Sequence, residues 1–228
     1  SEDLKRVILR KANKDSMRKE WSFGLEHACY PPKRNIECFI VQTKKKHYLA
    51  CVCARAPSRK PRYTIIYSHP NGSDISDHLN GVPSIVDMAS FLDCDVIMYD
   101  YSGYGISSVS RKFQITVTLR SFISGLILLA PITSMVRVLI WRRLCFNRPF
   151  ERTRPYLDKF RSKERITQVT VPILICHGLD DNIVPVDHGY ALYECAPNKV
   201  EPLWVKDTNH NNLENNQETW KRIRHFLY

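Results

Sequence analysis

The stretch Ile173-Leu174-Ile175-Cys176-His177-Gly178-Leu179-Asp180-Asp181-Asn182-Ile183-Val184-Pro185 decides the fold. Pro172 opens a run of four apolar residues with β-branched Ile at two positions. Gly178 and the Asp-Asp-Asn run then break the pattern, so the segment reads as a buried strand running straight into a loop. Open α/β sheets gather ligands and catalytic groups just past the carboxyl ends of their strands, and Asp181 occupies such a position. A second strand-like run, Pro202-Leu203-Trp204-Val205, follows, with Asn209-His210-Asn211 just beyond it. Two loops at one sheet edge therefore offer an Asp and then a His. In chain order these are the second and third members of a Ser…Asp…His triad.

Working outward, 228 residues with 43% apolar side chains suffice for one sizeable core and demand no second domain. Residues 1–34 read as a basic N-terminal segment and 35–228 as the folded domain. Leu4, Val7, Ile8 and Leu9 allow a short basic amphipathic helix within 1–28, ended by Pro31-Pro32. Ile36–Val41 and Tyr48–Cys53 are β-rich runs separated by a polar turn, a hairpin. Tyr63–Ser68 is the next strand and delivers His69-Pro70-Asn71-Gly72-Ser73-Asp74 at its carboxyl end. A helix is expected from Val82 to Leu92, then a strand over Asp95–Asp100 and the tight turn Tyr101-Ser102-Gly103-Tyr104-Gly105. Hairpin followed by βαβ is the grammar of a doubly wound sheet. Further on, a short strand fits 114–119, Gly125–Leu129 is a strand, and 142–165 is a basic, aromatic excursion. Asp187–Cys195 and Leu213–Tyr228 are helices. Charge-free Ser121–Val136 is too short for a membrane span and is interrupted by Pro131.

The net charge of +11 is uneven: +10 over 1–62 and again over 111–170, against −6 over 63–110 and −3 over 171–228. Basic flanks beside acidic loops suit an anionic membrane surface, met through patches such as Lys44-Lys45-Lys46. No nucleic-acid-binding motif accompanies the charge. The eight cysteines include no Cys-x-x-Cys pair and several lie in apolar runs, so they read as packed, reduced thiols of a cytoplasmic protein, with no disulfide framework or zinc site. The chain opens with Ser1-Glu2-Asp3 and shows no signal peptide; because it does not start with Met, targeting stays open.

Several blocks resemble the α/β-hydrolase-domain-containing 17 subfamily, serine hydrolases that remove palmitate from cysteines of membrane-bound proteins. They are Arg62-Tyr63-Thr64 through Ser68-His69, Asp74, Tyr99-Asp100-Tyr101-Ser102-Gly103-Tyr104-Gly105, Ala130-Pro131-Ile132-Thr133-Ser134, His177-Gly178 with Asp181, Tyr193-Glu194-Cys195, Val200-Glu201-Pro202-Leu203-Trp204-Val205 and His210-Asn211. The resemblance covers roughly 35–228 except 106–124. It implies an α/β-hydrolase fold, mostly parallel with an N-terminal antiparallel hairpin. It also implies His210 as general base, Asp181 as the acid orienting it, and Asn71 with Gly72 as oxyanion donors. Palmitoylated membrane-associated proteins would be the partners, and no metal or organic cofactor is implied. Pro70 departs from the family's pattern and has no N–H to offer.

The larger departure is the nucleophile. None of the eight glycines flanks a serine as Gly-x-Ser-x-Gly, the sharp strand-to-helix elbow that the family places between the Tyr-Gly loop and the Pro-x-Thr-Ser strand. Judged by the family, roughly 35–40 residues holding the elbow, its strand and the preceding helix are missing. Loss of a central strand is expected to leave two unpaired strand edges unless 114–119 fills the gap. Ser107, Ser110 and Ser124 lie in the right interval, and each reads as a loop residue. The sequence therefore suggests a family member that is inactive as written, or a non-catalytic protein binding an acyl chain or a partner. Asp181→Asn and His210→Ala are expected to leave folding nearly intact if their loops are exposed.

Overall fold

The structure, a computed structural model, describes residues 35–43, 47–105, 107, 123–135, 138 and 160–228. The chain divides into two compact units, Ser1–Val117 and Thr118–Tyr228. The expected strand at 114–119, the N-terminal helix and the Lys44–Lys46 patch lie outside the described residues, as does 142–159 of the excursion.

In the first unit, β1 (Ile36–Gln42) and β2 (Tyr48–Ala54) form the expected antiparallel hairpin, with Ile36 opposite Ala54 and Gln42 opposite Tyr48. β2 pairs antiparallel with β4 (Asp95–Tyr99), and β4 pairs parallel with β3 (Thr64–Tyr67), giving the order β1-β2-β4-β3. Two helices connect β3 to β4. The first, α1 (Ile75–Asn80), is capped by Asp74, which accepts from the Ser76 N–H, while Asp77 closes a capping box. In α2 (Ile85–Leu92), Pro83 and the Ser84–Asp87 capping box delay the start beyond Val82. Ile85, Met88, Ala89 and Leu92 recur at helical spacing and are all buried. Each large apolar side chain so buried contributes about 1.5–3 kcal/mol, so this stripe fixes α2 on the sheet.

In the second unit, β5 (Leu126–Leu129), β6 (Ile173–Gly178) and β7 (Leu203–Val205) form a parallel sheet in the order β5-β6-β7. All six residues of β6 are buried, which explains its unbroken apolar run: a central parallel strand is covered on both faces. Helices α3 (Ser162–Ile166), α4 (Asp187–Cys195) and α5 (Gln217–Leu227) accompany the sheet. Ile166, Ile173, Ile175, Leu192 and Ala196 make the core, with Leu126, Leu128 and Trp204 packed against it. α4 coincides with its sequence expectation. α5 starts at Gln217 rather than Leu213, because Asn216 caps it by accepting from the Glu218 N–H and the preceding residues form a separate turn.

Among the described residues β3 and β5 each end their sheet. Their side chains are only partly covered, with Ile66 46% exposed. No helix among the described residues is long and apolar enough to cross a membrane.

Candidate active site

Gly178, the last residue of β6, lies against the loop that follows β7: a Cβ there would fall 2.2 Å from the Thr208 carbonyl oxygen. That approach lets the two loops bond edge to edge, the Leu179 N–H donating to Val205 O (2.8 Å) and the Asp180 N–H to Thr208 O (3.1 Å). Asp181 follows on one loop. His210 opens a single 3-10 turn, His210–Asn212, on the other, where Asn209 accepts from the Asn211 and Asn212 N–H groups. Thr208 is held in turn by Asn216, whose side-chain amide donates to the Thr208 hydroxyl (3.3 Å).

The outcome is a direct contact. His210 Nδ1 lies 2.7 Å from Asp181 Oδ2. Against a carboxylate Nδ1 carries the proton and donates, which leaves the lone pair on Nε2, the position from which a general base works. Asp181 Oδ1 accepts from the N–H groups of Ile183 (2.9 Å) and Val184 (2.7 Å). The Asp181 side chain is 0% exposed and that of His210 29%. Burial pushes the Asp181 carboxyl up, but the nearby imidazoles of His177 and His210 and the Val184 N–H outweigh it and hold the group well below the usual carboxylate range. Asp181 is thus an ionised, fixed acceptor and His210 a partly exposed ring oriented by it. Because Asp181 is buried, the condition under which its replacement would leave folding nearly intact is not met.

The chain as a whole has counterparts among known proteins. No family model matches the chain. The human alpha/beta hydrolase domain-containing protein 17B is 27% identical over 248 residues, covering 93% of this chain and 80% of the relative. The mouse protein 17C is 28% identical over 229 residues, 84% of this chain and 68% of the relative. The chain is thus similar over most of its length to the alpha/beta hydrolase domain-containing 17 proteins. Solved structures show the same fold. Mouse alpha/beta hydrolase domain-containing protein 10 has a TM-score of 0.54 at 15% identity, covering 84% of this chain and 96% of that one. Acetyl xylan esterase 1 from Thermoanaerobacterium sp. JW/SL YS485 has a TM-score of 0.58 at 13% identity, covering 100% and 98%. The fold is that of an alpha/beta hydrolase, as the sequence led us to expect.

Asn71 and Gly72 belong to the first unit, in a turn after β3 closed by the Ser73 N–H donating to Pro70 O (3.3 Å). Gly72 has φ +89°, the left-handed conformation that glycine takes without strain. Both residues are exposed, and Tyr104 donates its hydroxyl proton to Asn71 Oδ1 (2.5 Å). The turn rests on buried His69, whose Nδ1–H donates to Pro70 O (2.9 Å) and whose carbonyl accepts from the Tyr101 hydroxyl (2.7 Å). Below it, Asp100 Oδ1 accepts from the Ile75 N–H (2.9 Å), and burial pushes the Asp100 carboxyl up.

Of the three serines considered as substitutes for the nucleophile, Ser107 is buried and occupied: its hydroxyl donates to Asp100 O (3.0 Å) and accepts from the Ala50 N–H (2.9 Å). Ser124 is exposed and precedes β5 at its amino end, beside the Ile173 end of β6. Five steps along β6, roughly 16 Å at the usual strand rise, separate Ile173 from Gly178. Ser110 lies outside the described residues. Among the described residues no serine is hydrogen-bonded to the His210 ring. One serine does meet an imidazole: Ser73 Oγ is 3.2 Å from His78 Nε2, but its proton is directed to Asp77 Oδ2 (3.0 Å), so the trio braces α1. Sequence reasoning gave no role to His177, Thr208 or Gly189, which shape the ground beneath the pair. The adjacency of His177 and Gly178 to the acidic run was the one available signal.

Proposed function

We propose that this chain is a relative of the palmitoyl-protein thioesterases that keeps the base and the acid of an acyl-transfer triad without the serine they serve. The observation that carries the reading is the 2.7 Å bond from His210 to buried Asp181, with no serine among the described residues hydrogen-bonded to the ring. In a working triad the His takes the proton of an elbow serine, the serine attacks the thioester carbonyl, the thiol leaves and water then releases the fatty acid. This chain has no Gly-x-Ser-x-Gly to begin that sequence. The alignment with human 17B spans 248 positions against 228 residues here, so positions of the relative lack counterparts in this chain, as a shortened chain requires. The partners of this reading are palmitoylated membrane-associated proteins, met at the cytoplasmic face of an anionic membrane. The two segments of +10 support that location.

Incubation with a fluorophosphonate probe and with a palmitoyl thioester tests the proposal. The expected result is no labelled serine and no turnover above background from folded protein, because members of a triad act as a unit. A labelled serine or robust turnover would overturn it.

A second reading, a non-catalytic acyl-chain binder, draws on one observation. In the second unit a cavity of about 220 Å³ is lined by Leu126, Leu128, Pro131, Ile132, Ile166 and Leu192, among others. Ordinary ligand sites measure roughly 300–1,000 Å³, so this cavity is small for the role and the first reading is preferred.

A further inference from the structure

His177 is buried with its side chain 0% exposed, yet the triad chemistry assigns it nothing. Its Nε2 lies 2.8 Å from Val184 O and 3.4 Å from Asp181 Oδ2. A carbonyl only accepts, so the proton of the neutral ring sits on Nε2. The other nitrogen, Nδ1, has no hydrogen-bond partner among the described residues. It faces the Cα of Gly189 on α4, where an added Cβ would stand 2.8 Å from Nδ1 and 3.0 Å from Trp204 Cζ3. The ring is thus seated edge-on by a missing side chain, and its one N–H can point only toward the Asp181–Val184 turn. That turn is closed from within by Asp181 Oδ1 accepting from the Val184 N–H. His177 touches both ends of it.

We propose that His177 is a positioning residue for the His210–Asp181 pair: its Nε2–H, directed at the Val184 carbonyl with a longer arm to the Asp181 carboxylate, fixes the oxygen that receives His210. The inference rests on reading His210 and Asp181 as a base–acid pair and adds a third imidazole behind the acid. The short arm is a full hydrogen bond, and the 3.4 Å arm lies beyond the usual range, so the main action is to hold the turn and the lesser one is electrostatic. A buried acceptor group left without its donor is costly, so removing the N–H should let the turn reorganise. The titratable groups facing Asp181 are His177 and His210, and the lowering of its carboxyl includes contributions from both.

The test is a ¹³C titration of the Asp181 carboxyl in the wild-type chain, in His177→Phe, which keeps a flat ring without a donor, and in His177→Gln, which restores an N–H. The expected result is a midpoint raised by about one unit or more in the Phe variant, a tenfold gain in proton affinity, with more than half recovered in the Gln variant. Equal midpoints in folded wild-type and Phe proteins would overturn the proposal. Long-range ¹H–¹⁵N spectra of the wild-type protein read the tautomer directly, whether or not the Phe variant folds. A proton on Nε2 supports the proposal and a proton on Nδ1 refutes it. His210→Ala is titrated in parallel: an unmoved Asp181 there would sink the base–acid reading on its own, leaving the His177 effect separately readable.

Discussion

His210 Nδ1 stands 2.7 Å from Asp181 Oδ2, yet the two side chains meet water very differently, 29% exposed for the imidazole and 0% for the carboxylate. The pair is lopsided as a result. Asp181 is held by two backbone N–H groups as well as the ring, and His210 is held mainly by Asp181.

That asymmetry sets a pH dependence. The folded-state carboxyl of Asp181 is lowered relative to an ordinary aspartate, so its contribution to stability is present above the unfolded-chain value of about 4. It is lost as pH falls below that value toward the folded one. Denaturant unfolding of wild type and Asp181→Asn should therefore differ by on the order of 2 kcal/mol at pH 7, and the gap should narrow steadily below about pH 4. A gap that widens on acidification would contradict the ionised, donor-surrounded carboxylate.

His210→Ala should cost less, roughly 1 kcal/mol, because its ring is partly solvated and Asp181 keeps its two backbone donors. Thermal melts of the two single variants rank them. If His210→Ala proves the more damaging at pH 7, the ring is a structural group and its assignment as a solvent-facing base fails.

Gly178 is where the two site loops are fitted together, and Gly178→Ala places a methyl 2.2 Å from the Thr208 carbonyl oxygen. Backbone on both sides cannot yield as a flexible side chain would, so the strands must part. We expect about 1–3 kcal/mol of destabilisation and a displaced His210, seen as loss of the hydrogen-bonded Nδ1–H resonance in ¹H spectra. An unchanged resonance would show that the loop pairing does not place the histidine.

The strand that leads to Asp181 was legible because β6 is central and wholly buried, so its apolar run needs no alternation to be recognised. α2 was legible for the opposite reason, a one-sided apolar stripe. What escaped was short or polar. α1 has six residues, of which Ile75 and His78 are buried, so its periodicity is below detection. α3 buries Ile166 alone, and charged Ser162–Arg165 looked like loop. The 3-10 turn at His210–Asn212 lies where a loop was expected, and the residues from Leu213 to Asn216 were absorbed into the expected closing helix, because nothing in the pattern separates a residue before an Asn216 cap from one after it. The Asp181–His210 partnership was suggested by chain order, but His177 became visible only when Gly189 was found against its ring.

Ser107 offers a direct test between structural and chemical roles. Its hydroxyl joins the Ala50 N–H of β2 to the Asp100 carbonyl, and both backbone groups are buried, so Ser107→Ala strands a donor and an acceptor. The expected cost is about 1–3 kcal/mol, read from the denaturation midpoint, with no change in reactivity toward a fluorophosphonate. A variant as stable as wild type but altered in labelling would make Ser107 a reacting group after all.

β3 pairs with β4 on one side, Ile66 opposite Ile97, and among the described residues with no strand on the other. An edge strand presents a row of unsatisfied backbone groups, and proteins commonly guard such edges with lysine. Here the strand carries Ile66 at 46% exposure instead, which combines an open ladder with an apolar side chain. Ile66→Lys should lower concentration-dependent self-association, measured by sedimentation velocity or light scattering. It should change stability by no more than about 0.5 kcal/mol, as is usual for an exposed site. The charge acts only if this edge is the surface through which copies meet. Equal association of the two proteins at matched ionic strength would locate self-association elsewhere, whereas a large loss of stability would mean that Ile66 packs against something in the folded chain.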